Sequence, residues 1–433
     1  MLTIKGIGWS VLATVGLATM ASGQEYVGDA LCSGCHADSP SADFFAGYMR
    51  SGHPWKLFHT AGETPAPDTW PHTVVPPLPV IEGTQLAWSD VEYVIGNYFW
   101  KARYVARDGY IHTGLEGETA QWNLATEEFV PYHPGELRSY NCGRCHTTGF
   151  DPDGQQGGLE GIAGTWAQPG IRCEACHGPA SEHVVDPTGT PPPGGKTCAE
   201  CHFRDAEFRM PWKSGFMRHH QQSEDLSHSP HSAALDCMSC HNPHRSVVYD
   251  DGGNIAHCTD CHGGNPDNGY FRVSGMASID CKECHMPYMG KSAVAFNEFT
   301  GDIRGHIFSV STEAIAAADN VYDVDGTLFW NQDAEGQSIV TLDYACLGCH
   351  ADIPDVPITL EGAAAYSVDI HTTHAVPAGD VDDDGVIDFV DLLTVLANWG
   401  PCDPPPPAEC AGDANYDGAV DFVDLLLVLA NWT

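Results

Sequence analysis

The pattern Cys-x-x-Cys-His occurs eight times in this chain, and it constrains the fold more than any other feature of the sequence. Two cysteines followed directly by histidine are the attachment signature of a c-type haem, in which both thiols form thioethers and the histidine ligates the iron. Zinc sites also use Cys-x-x-Cys pairs, but zinc does not require a histidine directly after every pair. The sequence therefore predicts eight covalent haems c, attached through Cys32, Cys35, Cys142, Cys145, Cys173, Cys176, Cys198, Cys201, Cys237, Cys240, Cys258, Cys261, Cys281, Cys284, Cys346 and Cys349.

Each motif also supplies the predicted proximal ligand of its iron, because the histidine directly follows the second cysteine. These ligands are His36, His146, His177, His202, His241, His262, His285 and His350. Of the 18 cysteines, only Cys402 and Cys410 lie outside the motifs. We expect these two to form a disulfide, since spare cysteines of exported proteins commonly pair.

The first 23 residues are typical of a secretory signal peptide. Lys5 supplies the positive charge, residues 7–18 form the apolar stretch, and Ala21-Ser22-Gly23 is a small-residue cleavage site. The apolar stretch is too short to cross a bilayer comfortably, and no later segment is a transmembrane candidate. The sequence predicts an exported chain, periplasmic or at the cell surface, with no transmembrane segment after processing.

The chain is strongly acidic, with 58 acidic against 19 basic residues and a formal net charge of −39. A surface of this charge repels phosphate backbones, which argues against a nucleic-acid partner. It favours basic redox proteins as partners, because complementary charge accelerates association.

The motifs are unevenly spaced, which predicts short helices and loops around the haems and one small β-rich insertion. Six motifs crowd between Cys142 and His285, whereas residues 60–140 carry none. Within this insertion, residues 100–106 and 110–113 flank an Asp-Gly turn, and residues 121–124 and 129–132 form a second predicted hairpin. Helices are predicted at residues 216–226 and 360–370. We expect one octahaem domain over residues 24–376.

A calcium-binding pattern occurs twice at the C-terminal end, 33 residues apart. Counted from Asp380, carboxylates stand at positions 1, 3, 5, 9 and 12 with Gly385 at position 6, the spacing that wraps hard oxygen ligands around calcium. Each copy runs into an apolar helix, so residues 378–433 are predicted to form an α-helical, EF-hand-like doublet with two calcium ions. The predicted ligands are Asp380, Asp382, Asp384, Asp388, Asp391, Asp413, Asn415, Asp417, Asp421 and Asp424.

This doublet resembles a type I dockerin module, and the resemblance implies a cohesin-like or other surface partner. In that family a Ser-Thr pair often follows loop position 9 and contacts the cohesin. The present chain departs from the pattern, because Phe389-Val390 and Phe422-Val423 occupy those places.

Further histidines are abundant: the chain has 23, eight of them proximal, so fifteen remain for other roles. This abundance favours a second imidazole on each iron, which closes a haem to substrate and suits electron transfer. His257 is the weakest candidate, because it adjoins Cys258 and does not easily reach across its own haem. The predicted distal ligands are His53, His183, His220 or its neighbour His219, His231, His244, His257, His306, and His374 or His371.

Several haem segments resemble the cytochrome c-554 type of multihaem cytochrome. They are Cys-Glu-Ala-Cys-His-Gly-Pro with His183 behind it, Ser-Pro-His before Cys237, and Cys-His-Asn-Pro-His ending at His244. That family is grouped with hydroxylamine oxidoreductase, octahaem tetrathionate reductase and pentahaem nitrite reductase. Over residues 26–374 the resemblance implies closely packed haem pairs that conduct electrons.

Two functions are compatible with these residues. The first is an exported electron carrier held to a surface partner through the calcium doublet. The alternative is a multihaem oxidoreductase that acts on nitrite, hydroxylamine or a sulfur oxyanion at one open haem. Tyr132, His133 and Arg144 lie near the second motif and are candidates for handling protons there.

Overall fold

The computed structural model describes residues 24–38, 42–262, 273, 276, 279–350, 358–373, 379–382, 386–401, 411–414 and 419–433 of the 433-residue chain. The predicted signal peptide and the predicted Cys402–Cys410 disulfide lie outside these residues. No helix of this described part is long and apolar enough to cross a membrane.

Most helices are one or two turns long. Their length follows from the motif, since residues three and four apart share one helix face and a single turn presents both cysteines and the histidine to one porphyrin. The helices are α1 (Asp29–His36), α2 (Ala42–Arg50), α3 (Gly143–His146), α4 (Cys173–His177), α5 (Ser181–Val185), α6 (Gln222–Ser227), α7 (Cys237–Cys240), α8 (Cys258–His262), α9 (Cys281–His285), α10 (Gly348–His350), α11 (Leu360–Ser367), α12 (Ile370–Thr373), α13 (Phe389–Ala397) and α14 (Phe422–Ala430).

The strands are equally short and gather in the parts of the chain between motifs. They are β1 (Leu57–His59), β2 (Val80–Ile81), β3 (Thr84–Gln85), β4 (Val91–Gly96), β5 (Lys101–Ala106), β6 (Tyr110–Ile111), β7 (Gln121–Asn123), β8 (Glu128–Val130), β9 (Arg138–Ser139), β10 (Thr147–Thr148), β11 (Gln168–Pro169), β12 (Pro211–Lys213), β13 (Phe216–Arg218), β14 (Gly290–Lys291), β15 (Val321–Val324), β16 (Thr327–Trp330), β17 (Gly400–Pro401) and β18 (Ala419–Val420).

The haem-free insertion forms most of a seven-stranded sheet in which β1, β4, β5, β6 and β9 are consecutive neighbours, β7 pairs with β5, and β8 pairs with β7. Both predicted hairpins are confirmed: β5 pairs with β6 through Val105 and Ile111, and β7 pairs antiparallel with β8. Gly109 has φ 93° in the turn, a conformation that glycine adopts without steric cost. Buried Leu57, Val105 and Ile162 belong to one of its cores.

A second, five-stranded sheet has the order β14-β13-β12-β16-β15. The helix prediction for residues 216–226 is wrong in its first half, because Phe216 and Met217 lie on β13 and are buried in the core with Trp330. His220 has φ 65°, which separates this strand from α6. The helix predicted at 360–370 is confirmed as α11 and the start of α12, with a break at Asp369 of φ 51°.

The N-terminal segment is fixed to the third motif by the Glu174 carboxylate, which is 2 % exposed. Its oxygens accept hydrogen bonds from the backbone N–H groups of Val27 and Gly28 at 2.8–3.0 Å and of Ala180 at 2.9 Å. A buried carboxylate that satisfies three backbone donors is costly to remove, because the donors are left without partners.

We therefore expect Glu174→Ala to destabilise the haem-loaded protein by about 1–3 kcal/mol, the usual penalty for unpaired buried donors. Thermal unfolding followed by the haem absorbance measures this loss. Exposed Glu160 provides the matched control, and Glu160→Ala should leave the transition unchanged. Equal transitions for the two variants would contradict the structural role of Glu174.

Candidate haem and calcium centres

The thiols of different motifs lie next to one another and connect all eight motifs into one network. Cysteines from four pairs of motifs lie close enough for each thiol to shift the pKa of the other: Cys32 with Cys173, Cys145 with Cys201, Cys198 with Cys237, and Cys258 with Cys281. Three further pairs are close enough to interact electrostatically: Cys176 with Cys198, Cys240 with Cys261, and Cys284 with Cys346. In motif order these contacts run 1–3–4–5–6–7–8, and motif 2 joins at motif 4.

The distance between two imidazole rings tests whether a haem iron fits between them. Because a metal–imidazole bond is about 2 Å long, two imidazoles on opposite sides of one iron have ring centroids roughly 6 Å apart. Proximal histidines of six motifs each have at least one distal candidate near that distance. The pairs are His36–His183 at 6.4 Å, His177–His244 at 6.1 Å, His241–His306 at 6.1 Å, His262–His231 at 6.0 Å, His285–His371 at 5.9 Å and His202–His53 at 6.5 Å.

His220 lies between two motifs. Its ring centroid is 6.4 Å from that of His146 and 6.3 Å from that of His202. One imidazole cannot ligate both irons. If His53 ligates the iron of His202, His220 is available for His146; if His220 ligates the iron of His202, the haem of the second motif keeps an open side.

Three further placements bear on the distal candidates. His257 is exposed, and no proximal imidazole of the described residues stacks against it. His374 lies outside the described residues, and its alternative His371 is the residue that faces His285. His219 touches His220, with ring centroids 4.7 Å apart.

The outer nitrogens of several imidazoles are held by backbone carbonyls. The Nδ1 atoms of His146, His183 and His285 lie 3.1, 2.9 and 2.7 Å from the carbonyl oxygens of Lys56, Thr190 and Phe308. Such contacts fix the ring orientation and leave Nε2 for a metal. Burial lowers the pKa of His146 to about 4, so its imidazole is neutral, the form that binds iron. The residues present therefore fit covalent haems.

Five cations converge around the second motif, although the chain as a whole is acidic. Lys56, Lys101 and Arg103 interact electrostatically with His146, and Arg204 and Arg218 join Lys101 and Arg103 around His219. Arg103 lies over the Tyr132 ring, 3.5 Å from its centroid, and Lys56 lies over the Trp100 ring. We call Lys56, Lys101, Arg103, Arg204 and Arg218 the cation cluster.

None of the cation cluster forms an ion pair with a carboxylate in the described residues, whereas Arg172, Arg209, Arg245 and Arg304 all do. Burial lowers the pKa of Lys101 to about 7 and that of Lys56 to about 8, because little negative charge offsets the lost hydration. The nearby Asp302 carboxylate instead accepts hydrogen bonds from the backbone N–H groups of residues 292–294. The cluster is thus a positively charged site whose members form no ion pair in the described residues, although the Asp302 and Glu224 carboxylates lie close enough to raise the pKa of Lys101 and of Arg204.

The calcium doublet brings its first and last loop ligands together. Carboxylate oxygens of Asp380, Asp382 and Asp391 lie within 4.8 Å of one another, which is compatible with one cation. Asp391 is fully buried and accepts hydrogen bonds from Val381 N–H and Asp388 N–H, both at 2.7 Å. Asp388 caps α13. A loop that buries several carboxylates together fits a bound cation, because uncompensated charges repel.

The second copy repeats this arrangement. Asp424 is fully buried and accepts a hydrogen bond from Asp421 N–H at 2.7 Å, and Asp421 caps α14. Asp413 is 6 % exposed. The predicted ligands Asp384, Asn415 and Asp417 lie outside the described residues.

Three family models match segments of the chain. A cytochrome c3 model matches residues 165–263, a model of cytochrome c554 and c-prime matches residues 119–178, and a dockerin type I domain model matches residues 378–431. No curated protein matches the sequence.

The solved structure of one multihaem cytochrome shares the fold. The octaheme sulfite reductase MccA of Wolinella succinogenes, form II, is 17 % identical with a TM-score of 0.52, covering 88 % of this chain and 74 % of that one. The chain is a multihaem c-type cytochrome with a C-terminal dockerin type I domain.

Two further solved structures are similar to this chain, with lower TM-scores. An undecaheme cytochrome from the S-layer of Carboxydothermus ferrireducens is 16 % identical with a TM-score of 0.44, covering 79 % of this chain and 60 % of that one. The outer cell wall cytochrome OcwA is 14 % identical with a TM-score of 0.43, covering 86 % of this chain and 89 % of that one.

Tyr132, His133 and Arg144 were predicted to handle protons near the second motif. Of these three residues, Tyr132 is shown in contact with the cation cluster. Tyr132 lies under Arg103, whereas the His133 ring lies 3.1 Å from the Glu136 carboxylate and is exposed at the surface. Arg144 faces the Phe203 ring. Sequence reasoning missed Lys56 and Lys101, because they are distant from the second motif in the chain and belong to no motif of their own.

The pairing of His285 with His371 yields a direct test. Replacing His371 by alanine removes the second imidazole from that iron, so His371→Ala should convert one haem per chain from low spin to high spin in the EPR spectrum. His257→Ala is the control, since His257 is exposed, and it should leave the spin states unchanged. A low-spin spectrum for His371→Ala would show that another residue ligates this iron.

The dockerin domain yields a second test. Asp391→Ala removes a buried loop ligand and the acceptor for three backbone donors, so it should abolish binding at the first loop and leave the second loop intact. Isothermal titration with calcium should then fall from two sites to one. Glu361→Ala, at an exposed carboxylate outside the domain, should keep both sites.

Proposed function

We propose that this protein is an exported electron carrier, in which eight haems c form one conduit and two calcium ions fold the dockerin domain that holds the conduit to a partner. Multihaem chains conduct because neighbouring haems exchange electrons directly, and axial ligation and burial tune each potential. The observation that carries this proposal is the continuous path of neighbouring thiols through the motifs.

The path supports a conduit because a thioether fixes the edge of each porphyrin. Where the thiols of two motifs are neighbours, the edges of the two attached porphyrins must also lie close together. Cys32 and Cys173 are one such pair, and Cys258 and Cys281 are another. Electrons entering at the first motif then have an unbroken route toward the eighth. The imidazole pairs support closed haems, since two axial ligands leave no position for substrate.

A second candidate function is reduction of a small oxyanion at the haem of the second motif. The cation cluster favours it, because five of the 19 basic residues gather around His146 and His219 without an ion pair to a carboxylate in the described residues. The position of His220 permits this function. Its ring centroid lies 6.3 Å from that of His202 and 6.4 Å from that of His146, so it is placed to ligate the iron of either histidine. The haem propionates are the competing explanation, since they too would neutralise buried cations.

Film voltammetry of the haem-loaded protein distinguishes the two functions. The carrier proposal predicts reversible waves that integrate to eight electrons per chain and stay unchanged when sulfite, nitrite, hydroxylamine or tetrathionate is added. A catalytic reduction current with any of these compounds would contradict a pure carrier and support the second candidate.

The cation cluster gives a variant that separates propionates from a substrate anion. Lys101→Met removes one positive charge near His146. If the cluster neutralises propionates, the substitution should lower the reduction potential of one haem, and neither the wild-type protein nor the variant should show turnover. If it binds an oxyanion, catalytic current should fall by roughly 10–100-fold, the cost of one charge-assisted hydrogen bond. Lys213→Met, at an exposed lysine, is the matched control.

A further inference from the structure

The first haem motif stands at one end of the path of neighbouring thiols, and it lies at the surface of the molecule. Two helices contribute to its haem site: α1 carries the motif itself, and α5 carries the distal candidate His183, whose ring stacks against that of His36 at 6.4 Å. Neither helix contains a buried residue. This end of the conduit is therefore placed to exchange electrons with another protein.

Exposed apolar side chains flank this haem site on both helices. Val184 and Val185 are 41 % and 85 % exposed. They directly follow His183, and because successive residues of an α-helix are turned about 100° apart, they point away from the imidazole. Leu31 is 52 % exposed and stands one helical turn before Cys35, on the same face of α1. The three side chains form a small apolar surface beside the attachment point of the haem.

The same two segments of the chain are acidic and contain no basic residue. Residues 24–38 and 181–190 include no lysine or arginine. Hydrogen bonds hold the segments together, since Glu25 N–H donates to Ser181 Oγ at 2.9 Å and Ser181 N–H donates to the Glu25 carbonyl at 3.2 Å. The exposed carboxylates of the two segments are Glu25, Asp38, Glu182 and Asp186.

None of these four carboxylates forms an ion pair with a cation in the described residues. Their negative charge is therefore available to a partner, and it borders an apolar surface. We call these four carboxylates together with Leu31, Val184 and Val185 the motif-1 face.

The opposite end of the path differs in its electrostatics. The Glu283 carboxylate lies near Cys349 of the eighth motif and is ion-paired with Arg304 at 2.6 Å. Lys282, within the seventh motif, is paired with Asp280 at 2.7 Å. Acidic side chains near motifs 7 and 8 are thus neutralised by neighbouring cations, whereas those of the motif-1 face are not.

We propose that the motif-1 face is the docking surface for a soluble redox protein whose own cofactor edge lies in an apolar patch ringed by lysines. This inference rests on the carrier role in the proposed function and names the surface at which electrons cross. Opposite charges steer such a partner to the rim, and apolar side chains exclude water from the centre of the contact. One electron passes between the two cofactors, and no bond or proton has to move.

The size and charge of the motif-1 face both fit a transient basic partner. Three apolar side chains make a small contact, in keeping with redox encounters, which bury less than about 1,200 Å² in total. A second copy of this chain would bring the same four carboxylates and another net charge of −39 to the contact, so like charges would repel. A lysine-rich protein associates quickly with this surface and leaves it again after transfer.

Flash photolysis tests the proposal with a basic cytochrome c in which zinc replaces iron. The excited zinc porphyrin gives one electron to an oxidised haem of the full, haem-loaded chain, and the decay of the excited state measures the rate. At about 10 mM ionic strength the rate should exceed that of the same probe with acetylated lysines by about 10-fold. Near 1 M salt the difference should vanish, because the screening length falls to about 3 Å.

Two carboxylates of the rim give the first variant. The double substitution Glu182→Gln and Asp186→Asn removes two negative charges and keeps the oxygens that accept the existing hydrogen bonds. At low ionic strength it should slow transfer by about 5–10-fold. The matched control is Glu116→Gln with Glu128→Gln, which removes the same charge from exposed positions of the haem-free insertion and should leave the rate unchanged.

A positive charge at the centre of the motif-1 face gives the second variant. Val185→Lys should slow transfer by about 10-fold at low ionic strength, because it opposes the lysines of the probe. Leu137→Lys is its control, since Leu137 is 77 % exposed and lies in the haem-free insertion. Both substituted side chains are exposed, so neither change disturbs a core.

The outcomes separate this inference from the proposed function. Equal rates for each variant and its control overturn the motif-1 face as the docking surface, while electron transfer from the probe still supports a carrier. A wild-type rate that acetylation of the probe does not change overturns the basic partner. Voltammetry of the same samples reports on the carrier function itself, and loss of the reversible eight-electron waves in the wild-type protein would contradict that function whatever the docking result.

Discussion

We propose that the structure depends on the bond between each haem iron and two imidazoles. One imidazole of each pair is fixed by its Cys-x-x-Cys-His motif, but the other must come from elsewhere, as His183 does for His36 and His244 for His177. Each pair therefore ties two distant parts of the chain to one porphyrin. This explains how a chain of one-turn helices and two-residue strands holds a defined fold, since the porphyrins supply apolar volume that long helices or large sheets supply in other proteins.

The dockerin domain follows the same principle with a different cofactor. Its buried Asp391 and Asp424 repel their neighbours unless a cation lies among them, so the metal site and the fold form together. The haem domain shows the reverse situation around His146 and His219, where buried cations gather without an ion pair to a carboxylate in the described residues. At both places several buried charges of one sign lie close together, which points to a bound group of the opposite charge.

Features set by neighbouring residues were predictable from the sequence, and features set by distant residues were not. The β5–β6 hairpin, the repeated calcium loops and the helices α11, α13 and α14 follow from turn residues, ligand spacing and apolar periodicity. Residues 216–218 were predicted as helix, but their pairing with β12 and β14 overrides local preference. The approach of Lys56 and Lys101 to His146 depends on long-range folding and has no local signal.

The most direct test of the central claim is quantitative EPR of the oxidised, haem-loaded protein, with iron and protein measured on the same sample. We predict eight irons per chain, all of them low spin, because seven proximal imidazoles have a second imidazole at a centroid distance of 5.9–6.5 Å and further histidines of the chain are available to the eighth. A stoichiometric high-spin signal would contradict a fully closed conduit. It would direct attention to the second motif, where His220 lies between two irons and the cation cluster is in place to receive an anion.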